Sequence, residues 1–130
     1  MSHIAPVPFK VATTLAAYRV VTATSGTAYT VAYPESDLRP YIGITTDTVL
    51  DTGCSIPVAV AGVAKLFFND TCVSGALVGA DTSGRGIPFS FAATTSAITV
   101  TSAYIGVLIG PSVDATGTIA DVLIQPGFER

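Results

Sequence analysis

The sequence predicts an all-β fold: a small sandwich or barrel built from two related four-strand units, preceded by an extended N-terminal arm. Three observations carry this. Val, Ile, Thr and Tyr dominate in short runs broken by Gly, Pro, Asp and Ser, the pattern of many short strands. No long window places apolar residues at i, i+3, i+4 and i+7 behind a cap, so helices are not expected. Finally, the stretch YIGI at Tyr41–Ile44 returns as YIGV at Tyr104–Val107, which points to an internal repeat.

The arm comes first. In residues 1–14, Pro6 and Pro8 fix φ and bias the residues before them toward extended backbone. Ile4, Val7 and Phe9 have no local apolar partners. The segment suits strand addition to a partner's sheet edge, with a frayed terminus as the other reading.

The β domain follows over 15–130, its repeats falling at about 15–62 and 73–127. Tyr18–Ala23 aligns with Ala76–Asp81 as a strand entering a turn, and Thr24–Tyr33 with Thr82–Phe91 through a shared Thr-Ser-Gly. Gly26 and Gly84 are expected to supply positive φ there. The two Tyr-Ile-Gly strands come next, with Gly43 and Gly106 marking a bulge, a bend or a close backbone approach. Thr48–Gly62 then faces Ser112–Gly127, each with a Thr-Gly turn before an alternating strand: Ile56, Val58 and Val60 in one, Ile119, Val122 and Ile124 in the other. Gly62–Thr71 reads as the crossover. One four-strand unit is too small to bury a face alone, so the two are expected to share one core. Coincidence among similar β segments is the competing explanation.

Composition sets further bounds. Of 130 residues only 12% are charged, about half the ~25% of ordinary soluble domains. Either a Thr- and Ser-coated monomer or a surface covered by other subunits fits such a chain. The net charge is −3, and the six basic residues lie far apart in sequence. No run neutralises several phosphates, so nucleic acid is not an expected partner. Gly86–Val113 carries no charge, but its Ser, Thr and Pro content reads as strands and turns rather than a membrane-spanning helix. The N-terminus lacks a signal peptide's basic and apolar regions, so neither that export route nor a membrane partner is expected.

Candidate chemistry is sparse. Cys54 and Cys72 read as buried free thiols, with a bridge between them left open. His3, the sole histidine, lies too near the chain start to be held as a general base. Glu35 with Asp37, and Asp47 with Asp51, pair carboxylates beside turn residues, where Asp bonds its own backbone. Gly79–Gly86 (GADTSGRG) approaches a phosphate loop in glycine spacing, but carries Arg85 in place of Lys and Gly86 in place of the hydroxyl. Asn69–Thr71 is a formal glycosylation sequon. The reading is of a protein that is no enzyme and has no cofactor and no metal.

A resemblance rests on Arg39–Thr45, Gly75–Pro88 and Val122–Gly127 in that order, with the duplication. In these the chain resembles the head-decoration, or cement, proteins of tailed bacteriophages. The resemblance implies a β-tulip-like body, assembly as trimers, and the major capsid protein as partner. It further implies a virion site on the outer capsid surface, a passage through the host cytoplasm during assembly, and a role in stabilising the shell. The arm residues Ile4, Pro6, Val7, Pro8, Phe9 and Lys10 would be the capsid-binding segment. The alternative is a virion-displayed attachment or glycan-binding module, such as a head fibre base, for which Tyr29, Tyr33, Tyr41 and Tyr104 offer aromatic surface.

Overall fold

The computed structural model describes residues 6–12, 14–24, 28–34, 41–49, 54–89, 102–114 and 117–129. Every regular element among them is a strand: β1 (Val7–Val11), β2 (Val20–Ala23), β3 (Thr30–Ala32), β4 (Tyr41–Thr45), β5 (Ser55–Ala59), β6 (Gly62–Phe68), β7 (Leu77–Ala80), β8 (Gly86–Pro88), β9 (Ser102–Leu108) and β10 (Thr118–Glu129). They form two closed five-stranded barrels, β1-β3-β2-β4-β5 and β6-β8-β7-β9-β10.

The two barrels share one topology, and the unit so repeated has five strands where the sequence suggested four. Each barrel closes through an antiparallel pairing of its first and last strands and has a parallel pairing of its first and third. The isolated bridges match too, Leu15 with Val49 and Cys72 with Val113. The expected repeat boundaries at 15 and 73 thus omit one strand from each unit. Residues read as a crossover are β6, and its counterpart is β1.

That corrects the free arm. Val7–Lys10 pairs antiparallel with β5, and Lys10 and Val11 pair parallel with β3. Two opposed prolines, Pro8 and Pro57, conceal the strand in the sequence. The Val11 N–H donates to Cys54 O, so antiparallel alternation makes Pro8 and Pro57 a pair whose missing N–H groups face away from each other. Proline costs that pairing nothing. Phe9 and Val11 then pack into the first barrel, as a half-buried strand requires.

Register also differs from the sequence alignment in the early strands. Val21 opposes Gly43 and Val78 opposes Gly106, so the counterpart of Val78 is Val21, one residue beyond the alignment. Gly84 has positive φ as expected, but its counterpart is Tyr29, at φ 55°; Gly26 lies outside the described residues. Tyr18 (φ 61°) likewise matches Gly75 (φ 90°). Ala120, Val122 and Ile124 of β10 are buried, whereas Ile119 is exposed.

The cores are unequal. Val11, Leu15, Val21, Val31, Ile56 and Val58 form a cluster drawn wholly from the first unit, contrary to the expectation that neither unit buries a face alone. The second cluster fills the other barrel with Leu66, Phe68, Ile105, Leu108 and Val122, among others, and extends to Val20, Tyr41, Ile44 and Ala59 of the first unit.

Candidate interaction surfaces

Where the two units meet, backbone is shared. The Phe67 N–H donates to Tyr18 O at 2.9 Å and the Val20 N–H to Gly84 O at 2.7 Å, so Tyr18–Val20 is inserted between β6 and β8. In the first unit the matching groups bond each other: the Lys10 N–H donates to Tyr29 O at 2.7 Å. A Cβ on Gly84 would lie 2.5 Å from Val20 O, so glycine is what admits the inserted segment. Arg19 completes the junction, its guanidinium 4.7 Å from the Phe67 ring centroid and Nη1 donating to Ser83 O at 3.3 Å. The Tyr41 hydroxyl reaches Ala80 O at 3.4 Å.

The outer face of the first barrel is buried by this contact. Its cross-strand row runs Val20, Ile44, Ala59, and none of the three is more than 9% exposed. The corresponding row of the second barrel runs Leu77, Val107, Leu123 and on to Val63. There Leu77, Val107 and Leu123 are only half-buried and Val63 is 47% exposed. Exposed Ile109 and Ile119 lie on neighbouring positions of the same barrel, and the Lys65–Asp121 ion pair at 3.4 Å lies on the same β6–β10 ribbon.

The residues predicted to bind a capsid are not in a loose arm. Pro6, Val7, Pro8 and Lys10 are exposed on β1 or just before it, while Phe9 is half-buried against the core; Ile4 lies outside the described residues. Among the described residues β1 pairs on its second side only with β3, at Lys10 and Val11, so within that set Val7–Phe9 presents a strand edge. The tyrosines do not converge into a platform. Tyr29 is 78% exposed and Tyr41 is buried. The Tyr33 hydroxyl accepts from the Ala16 N–H at 2.7 Å, and Tyr104 stands edge-on to Phe89 at 5.5 Å. In the second unit Pro88 takes the place of Tyr33, and with Val73, Ala76 and Cys72 it lines an open groove of about 350 Å³.

The phosphate-loop-like segment is a turn organised by its own carboxylate. Asp81 accepts from the Ser83 and Arg85 N–H groups, from Arg85 Nε and from Asn69 Nδ2. Both cysteines are free, but only Cys72 is buried; Cys54 is exposed, contrary to expectation. Burial raises the Cys72 thiol above its ordinary range, with the Asp70 charge adding to the rise. Among the described residues no cluster of metal-ligating side chains occurs, and no helix is long and apolar enough to cross a membrane. His3, Glu35, Asp37 and Asp51 lie outside them.

The outward row of the second barrel was missed in the sequence, although a signal was there. Val107 and Leu108, and Leu123 and Ile124, place apolar residues on both faces of β9 and β10, as strands covered on both sides do.

No family model matches the chain, and no curated protein matches it. Solved structures do. The fold is similar to that of the head fiber gp8.5 N base in bacteriophage phi29, with a TM-score of 0.63, 11% identity and 92% of each chain covered. At that identity the likeness establishes the all-β double-barrel fold.

Proposed function

We propose that this protein is a structural component of a bacteriophage virion that seats on the outer surface of the assembled head and stabilises it, as a decoration or cement protein does. The observation carrying this reading is the whole-chain fold likeness to a phage head fiber base, alongside the scarcity of charge and the open apolar face. The partner is the major capsid protein, and the protein acts as a homotrimer, with neither nucleic acid nor membrane involved. In this reading it catalyses no reaction and needs no cofactor. The β1 edge, with Pro6, Val7, Pro8 and Lys10 outward, is the capsid-facing segment. A protein that binds only the assembled lattice stabilises it by mass action, and several copies held together multiply modest contacts.

The second reading is a fibre base that carries an outward-projecting attachment element. It is favoured by the neighbour's description as a head fiber base. Purified protein mixed with empty shells of the cognate phage, followed by sedimentation and heat challenge, separates the two. Stoichiometric binding with increased heat resistance supports cementing. Binding without added resistance supports the fibre base, and absence of binding overturns both.

A further inference from the structure

We infer that the outward face of the second barrel, along Leu77, Val107, Leu123 and Val63, is where copies of this chain meet one another, these faces converging on a shared symmetry axis. The inference deepens the proposed virion role by naming the surface of association, but the surface itself is read from the repeat. The molecule contains the same face twice. In the first barrel the row Val20–Ile44–Ala59 is covered by the second unit and at most 9% exposed. In the second barrel no such cover is present among the described residues: Leu77, Val107 and Leu123 are half-buried and the end residue Val63 is 47% exposed. Apolar side chains on both faces of β9 and β10 fit a sheet covered on both sides.

A second copy is the occupant that the charges favour. On the β6–β10 ribbon the face carries Lys65 and Asp121, which pair with each other at 3.4 Å. Two such faces therefore meet without net like-charge repulsion. Head-to-tail stacking, in which the face would be covered as it is within the chain, is blocked. The position that admits Tyr18–Val20 in the second unit is Gly84; in the first unit it is Tyr29, whose carbonyl already accepts the Lys10 N–H. Like faces turned toward one axis give a closed assembly rather than an open filament.

Sedimentation velocity on the full chain over a range of concentrations tests this, with the shell-binding assay run on the same samples. Wild-type protein should form a closed oligomer. Val107→Asp and Leu123→Asp should weaken association at least about tenfold, as substitutions central to an interface do. Val63→Asp, on the most exposed residue of the row, should do so with an unchanged melting temperature, which guards against simple unfolding. Tyr29→Asp should leave association intact. A wild-type chain that stays monomeric, or an oligomer indifferent to all three face variants, overturns the inference. So does loss of association in Tyr29→Asp, which would indicate head-to-tail contact. If the chain stays monomeric and the face variants lose shell binding, the face docks on capsid protein instead. Failure to bind shells by an oligomer that the face variants dissociate counts against the virion role alone.

Discussion

A methyl group on Gly43 would fall on the Ala59 carbonyl oxygen, and one on Gly106 on that of Leu123. The two glycines hold equivalent places, each beside a register shift in its sheet, so they admit a close strand approach in both barrels. Gly43→Ala and Gly106→Ala should each lower stability by about 1–3 kcal/mol in denaturant titration. Asp81 gathers four hydrogen bonds around one turn. Asp81→Ala should cost about 1–3 kcal/mol by the same measurement, because the Ser83 and Arg85 N–H groups lose their acceptor. The cysteines should separate chemically: an exposed Cys54 reacts with a thiol reagent in the native protein, whereas Cys72, 3% exposed, reacts only after unfolding. With the folded Cys72 pKa raised, the unfolded chain releases this proton first. The group's contribution to stability is complete below the unfolded pKa and is lost as pH rises through the folded one. Melting temperature followed across the alkaline range should fall more steeply in wild type than in Cys72→Ala.

At the scale of elements, β1 decides how any truncation is interpreted. Val11 is 2% exposed, and Phe9 packs on the same cluster. Deleting residues 1–12 opens the first barrel rather than freeing a tail, and should reduce the strand signal in circular dichroism and lower the melting temperature. A loss of shell binding in that truncation would therefore report unfolding. Replacement of exposed Val7 by Asp is the cleaner probe of the β1 edge. The inserted segment Tyr18–Val20 gives a second element-scale expectation, with opposite signs at matched positions. Gly84→Ala, at φ +75° against Val20 O, should destabilise by about 1–3 kcal/mol. Tyr29→Gly should relieve a left-handed conformation worth ~1–2 kcal/mol, less the ~0.5–1 kcal/mol entropic cost of glycine.

For the whole molecule, the all-β class and a repeated unit were legible in the sequence because they rest on strand periodicity. At Gly43 and Gly106 the sequence left a bulge, a bend or a close approach open, and the structure shows close approach beside a register shift. The first strand was not legible, because Pro8 and Pro57 hide one another's compatibility until register is known. The Tyr29–Gly84 equivalence was also hidden: backbone angle, not side-chain identity, links these positions. The junction of Tyr18 with Phe67 and of Val20 with Gly84 is made by main-chain groups, which carry no sequence signature. Of the candidate surface, the sequence singled out Ile4–Lys10 as an extended arm and not as a strand of the barrel, and the outward row of the second barrel required the repeat to be superposed strand by strand. The alternation broken at Val107–Leu108 and Leu123–Ile124 was its only trace in the sequence.

The unequal division of the two cores has a consequence for how the chain comes into being. The N-terminal half holds a complete cluster of its own, whereas the C-terminal half borrows Val20, Tyr41, Ile44 and Ala59. During synthesis the first barrel emerges first and can close before β6 is made. A first barrel closed in that way would offer a finished surface for the later strands, with Val20, Tyr41, Ile44 and Ala59 on it.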